Sequence, residues 1–89
     1  MDAIEKAAFH PGEYLKEELE TRGWTQKELA EMIGRPQRLI NRIIAGKAGI
    51  TAQTAQQLAA AFGTSAALWM NLQSQYDRAK IGGIQHGGV

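Results

Sequence analysis

An all-α domain of five helices follows from three features of the chain. Helix formers dominate, apolar residues recur at i, i+3 and i+4, and glycines and prolines punctuate the text at helix-length intervals. No stretch alternates in the manner of a strand, and no segment repeats. Eighty-nine residues, 44% hydrophobic and 21% charged, make one ordinary globular domain. Cysteine is absent, so the fold must stand on packing, without disulfides or thiolate metal sites.

Each helix has its own start and stop. Pro11 suits a first helical turn, and Leu15 and Leu19 repeat at i, i+4 before Gly23 ends the first helix. Thr25-Gln26-Lys27-Glu28 is a capping box, flanked by Trp24 and Leu29 at the spacing of a hydrophobic staple. The second helix then runs Gln26 to Ile33, with Leu29, Ala30 and Ile33 inward, and Gly34 suits the left-handed stop. Pro36 opens the third helix, whose Ile40, Ile43 and Ile44 face the core up to Gly46. Thr51 caps a fourth, with Ala55, Leu58, Ala59 and Phe62 inward, and Gly63 ends it. Ser65 caps a fifth, along which Leu68, Trp69, Leu72 and Tyr76 share one side. Four glycines between residues 82 and 88 argue against continued helix. The expected division is an arm at 1–10, a domain at 11–77 and a flexible glycine-rich tail at 78–89.

Charge is segregated although the net charge is only +1. Residues 1–31 carry eight acids against four bases; residues 32–76 carry no acid and hold Arg35, Arg38, Arg42 and Lys47. Such a basic face is the footprint that phosphate binding needs. It coincides with residues 25–46, which in helix length and punctuation read as a helix-turn-helix. Ala30 is small where two helices must cross, and Gly34 makes the turn. Gln37, Arg38, Asn41 and Arg42 are left on the outer face of the third helix. In the major groove of double-stranded DNA, Arg suits guanine O6/N7, and Asn or Gln suits adenine N6/N7. Gln26, at the positive end of the second helix, suits a phosphate, as do Lys27, Arg35, Arg42 and Lys47. An all-α bundle with a merely polar third helix is the competing reading.

Residues 10–77, 68 of the 89, also resemble the HigA (VapI-like) antitoxins of the lambda-repressor-like helix-turn-helix superfamily. The stretches that carry the resemblance are His10-Pro11-Gly12-Glu13-Tyr14-Leu15-Lys16-Glu17-Glu18, Thr25-Gln26-Lys27-Glu28-Leu29-Ala30 and Gly46-Lys47-Ala48-Gly49-Ile50-Thr51. The fourth runs from Gly63 through Leu68-Trp69-Met70-Asn71-Leu72-Gln73 to Tyr76-Asp77. The first and last are the most specific to this branch. The resemblance implies a dimeric five-helix protein that represses its own operon and neutralises a HigB-like RNA-cutting toxin. By position it places Gln37, Arg38 and Asn41 at base edges, and Gln26 at a phosphate beside Gln37. One departure is Pro36, where the family usually carries a capping Ser or Thr. A standalone repressor, or a toxin-binding protein with vestigial DNA binding, fits much of the same pattern.

No catalytic constellation stands out. His10 and His86 lie near opposite ends, in capping or solvated positions, and no nucleophile, phosphate-cradling loop or metal-ligand cluster has workable spacing. No cofactor is therefore expected. No apolar run reaches the ~18 residues of a membrane span, and Met1 to Glu5 lack a signal-peptide layout, so a cytoplasmic protein is expected. Leu68, Trp69, Leu72 and Tyr76 either cover the core edge or form a two-fold seam, which Ile81 and Ile84 would extend. One reading helix spans too few base pairs for a regulator, so a homodimer on an inverted-repeat operator is expected.

Overall fold

The computed structural model describes residues 10–88, with side chains through Lys80. Five helices follow one another there: α1 (Pro11–Arg22), α2 (Gln26–Ile33), α3 (Gln37–Ile44), α4 (Ala52–Phe62) and α5 (Ala66–Gly88). No strand occurs among the described residues. The all-α expectation holds. The expected arm lies almost wholly outside the described residues.

Local chemistry sets the helix starts. Thr25 Oγ1 accepts from the Glu28 N–H at 3.0 Å, and the Thr25 N–H donates to Glu28 Oε1 at 2.8 Å, closing the capping box. Thr51 and Ser65 cap α4 and α5 through the N–H groups of Thr54 and Leu68. His10 caps α1, its Nδ1 accepting the Gly12 N–H at 2.9 Å. α3 alone starts from a residue without a side-chain cap, Pro36, which sits at the N-cap just outside the helix.

α5 packs on α4 and α1, α3 packs on α2 and α1, and α2 packs on α4. Leu15, Leu29, Ile40, Ile43, Leu58 and Phe62 are all buried in one cluster, as the helical spacing predicts. Two glycines are required here, one by its backbone conformation and one by a close approach. Gly34 turns α2 into α3 at φ 69°, a left-handed conformation that side chains resist. A Cβ on Gly12 would stand 1.9 Å from the Ile43 carbonyl oxygen, so α1 and α3 meet backbone to backbone there.

Two expectations are corrected. Trp69 is 0% exposed within the single chain, so it cannot lie at the centre of a seam between copies. Its indole stacks near Phe62 and meets the edge of Tyr14, and its Nε1–H donates to Thr64 Oγ1 at 3.0 Å. A large apolar ring with one polar atom gains most where both needs are met, and the α1–α4–α5 junction meets them. The second concerns the end of α5. The backbone stays helical through Gly88, beyond the boundary at residue 77 that glycine content suggests. The first turns of α5 are anchored by packing, so each further residue adds a hydrogen bond without a new nucleation cost.

Arg22 was given no role by the sequence, yet it closes the far end of the bundle. Its Nη2 donates to the Phe62 carbonyl at 3.0 Å, at the C-terminus of α4. The guanidinium lies 4.8 Å from the Phe62 ring centroid and pairs with Glu18.

Candidate nucleic-acid interface

α3 is held by its apolar side. Ile40 and Ile43 are 0% exposed, and Leu39 and Ile44 pack partly buried against the same cluster. The opposite side carries Gln37, Arg38, Asn41 and Arg42, all exposed. Eight residues give a rod of about 12 Å, enough to lie within a major groove. The anchoring isoleucines fix its roll, so these polar side chains point outward without further support.

The basic residues expected at phosphates divide into two kinds. Lys27 and Lys47 are exposed, and among the described residues neither has a carboxylate within ion-pairing distance. Arg35 and Arg42 already bond within the chain. Arg35 Nη1 donates to Gln57 Oε1 at 2.9 Å, tying the turn to α4, and Arg42 Nη2 donates to the Lys47 carbonyl at 3.2 Å. A guanidinium has five N–H groups, so each keeps donors for a second acceptor while its rotamer is held. Gln26 is half-buried, and its Oε1 is buried without a hydrogen-bond partner among the described residues. A phosphate only accepts, so the amide NH2 of Gln26 is the half that suits one.

Beyond α3 the chain turns through Gly46 to Ile50, and Gln73 of α5 holds that turn. Gln73 Oε1 accepts the Ile50 N–H at 2.7 Å, and its Nε2 donates to Asp77 Oδ1 at 3.0 Å. Gly49 leaves room for it: a Cβ there would stand 2.9 Å from Gln73 Oε1 and push that amide aside. Gln73 and Tyr76 of α5 converge here with His10, far away in the chain, which no helical spacing encodes. The His10 ring meets Tyr76 edge-on at 4.8 Å. Burial pushes the His10 pKa below 6.5, and Lys80 adds to this; Glu13, the Ala48 carbonyl and Asp77 oppose it. Burial also raises Tyr14, with Glu18 adding to it.

On the α5 side the expected seam residues separate. Leu68 is half-buried and does not pack on the core cluster, whereas Leu72 does. Tyr76 is half-buried against His10. Ile81 and Ile84 lie outside the described side chains. No cluster of metal-binding side chains and no membrane-spanning helix occurs among the described residues.

This architecture, a capped α2, a glycine turn and an outward polar α3, defines a helix-turn-helix protein. The chain belongs to the helix-turn-helix (HTH_3) family, whose model matches residues 15–69. The resemblance to HigA-type antitoxins is borne out. The chain is 37% identical to an addiction module antidote protein of the HigA family from Coxiella burnetii, covering 92% of this chain and 95% of that one, with TM-score 0.79. It is 34% identical to the Pseudomonas aeruginosa antitoxin HigA, solved with the higBA promoter, covering 91% and 89%, with TM-score 0.86. Among curated proteins it is 42% identical over 74 residues to virulence-associated protein I of Dichelobacter nodosus, spanning 82% of this chain and 68% of that protein.

Proposed function

We propose that this chain is a DNA-binding antitoxin: a homodimer that represses its own operon from an inverted-repeat operator and neutralises a HigB-like toxin in the cytoplasm. The observation that carries the reading is the build of α3. Ile40 and Ile43 are sealed in the core while Gln37, Arg38 and Asn41 stand exposed in the one long stretch of the chain without an acid. Those three read bases. Gln26, Lys27, Arg35, Arg42 and Lys47 hold phosphates around them. The likeness to a HigA solved with promoter DNA supports both the DNA and the toxin partner. The family is one of DNA-binding regulators, and the chain carries no enzymatic activity.

Leu68 and Leu72 form the seam of the dimer, Tyr76 being taken up by the His10 ring, with reading helices one turn of DNA apart, about 34–36 Å. The test is operator binding against salt. Six phosphates held by Arg35, Arg42 and Lys47 of two protomers give a slope of log affinity on log salt near −5. A slope flatter than about −2 removes the basic face as the docking surface. Co-expression with a HigB-like toxin, should a neighbouring reading frame encode one, tests the second half: growth is rescued and the two co-purify. Operator binding without rescue would instead mark a standalone repressor.

A further inference from the structure

The turn after α3 and the side of α5 enclose an open depression of about 190 Å³, on the same edge of the molecule as the end of α3. Lys47, from the turn, and Lys80, from α5, both line it. Lys80 is exposed, and its Nζ lies 5.2 Å from the Tyr76 ring centroid. Tyr76 is in turn braced by the His10 ring. Among the described residues neither lysine has a carboxylate within ion-pairing distance. Asp77 also lines the depression, but its Oδ1 is engaged by Gln73. Gly49 of the turn also lines the depression and offers a third donor. The N–H groups of Gly46, Lys47, Ala48 and Ile50 all donate within the chain, and that of Gly49 meets no acceptor among the described residues.

Two unpaired ammonium groups and a free amide round one small hollow make a seat for a single tetrahedral anion. Its position says which one. Lys47 comes three residues after Ile44, the last residue of α3, so DNA lying along α3 runs past the hollow. We propose that this depression seats a backbone phosphate flanking the base pairs that α3 reads. Lys47, Lys80 and the Gly49 N–H grip it, and Tyr76 and His10 act as positioning residues for Lys80. The inference rests on the DNA-binding reading and extends the interface from the helix-turn-helix to α5.

The test uses operator duplexes carrying one neutral methylphosphonate at each successive flanking position, with the full-length wild type, K80Q, K47Q, K80R and R78Q. Arg78 is exposed on α5 but does not line the depression. K80Q and K47Q should each bind the unmodified operator about three- to tenfold more weakly, the worth of one polar contact. At one flanking position the neutral linkage should weaken the wild type by a similar factor and weaken K80Q by clearly less, because one of its partners is already gone. K80R and R78Q should behave as wild type, with helicity unchanged throughout. The inference is overturned if K80Q matches wild type, if R78Q loses as much as K80Q, or if the K80Q and methylphosphonate losses add in full at every position. Millimolar inorganic phosphate at fixed ionic strength should not compete. Competition in wild type but not in K80Q would assign the hollow to free phosphate and overturn the DNA assignment. A wild type that binds no duplex overturns the DNA reading and this one together; normal wild-type binding with an indifferent K80Q overturns this one alone.

Discussion

α3 and the first half of α5 do the same thing inward and opposite things outward. Each sends fully buried side chains into the common core, Ile40 and Ile43 from one and Trp69 from the other. Outward, α3 shows Gln37, Arg38, Asn41 and Arg42, while α5 shows half-buried Leu68 and Leu72 one turn apart. The cost of desolvation explains the split. Polar and charged side chains stay hydrated until a polyanion replaces their water, whereas partly exposed apolar side chains gain from a second apolar surface. One bundle therefore carries two chemically distinct kinds of surface.

The largest way to break this comparison is Trp69→Glu. The sequence alone would expect a folded monomer, because it allows Trp69 a place at a seam. With Trp69 fully buried, the change removes a core ring and buries an unpaired carboxylate, costing several kcal/mol out of a total of about 5–15. Loss of helicity at room temperature is the expected outcome in circular dichroism; a folded monomer would return the residue to the seam. Next comes Arg38→Ala. Thermal stability should stay within about 0.5 kcal/mol, while cognate operator affinity falls by roughly 1–3 kcal/mol and preference relaxes at one base pair. Equal losses on cognate and random DNA would move Arg38 from base edge to backbone.

Leu68→Glu sharpens the other side. The residue does not pack on the core cluster, so folding should survive, while dimer dissociation measured by sedimentation rises by at least about tenfold, or 1.4 kcal/mol. An unchanged dimer would place the seam elsewhere. The smallest effect is that of pH on His10. Its folded pKa is lowered below 6.5, so the unfolded chain binds more protons in the window beneath. The stability it contributes is complete above about pH 6.5 and is lost as pH falls through the folded value. Protonation would also remove the Nδ1 acceptor that caps α1. Comparing melting temperatures of wild type and His10→Asn across that window should show the steeper acid loss in wild type; parallel curves would exclude the cap as the titrating element.

Much of this was legible in the residues themselves. Thr25 and Glu28 announce the start of α2, and Gly34 its end, because capping and left-handed turns are decided within four or five neighbours. The outward set on α3 was legible too, since Ile40, Ile43 and Ile44 leave only one side for Gln37, Arg38 and Asn41. What stayed hidden depends on partners far along the chain. Arg35 meets Gln57, Ile50 meets Gln73, and His10 meets Tyr76; no periodicity encodes such pairs. The same limit applies to Trp69. Helical spacing put it on a stripe with Leu68 and Leu72, and α5 is apolar enough for that stripe to turn either way.

Local order thus belonged to the sequence: five helices, their caps and turns, the segregated charge and the side chains offered by α3. Tertiary structure alone decided which apolar residue of α5 lies inside, which arginines are already held, and that Lys47 and Lys80 share a hollow. The reason is range. Caps, turns and helical period act over a few residues and are written in order along the chain, while burial and long-range pairing arise only when α1, α4 and α5 compete for the same space.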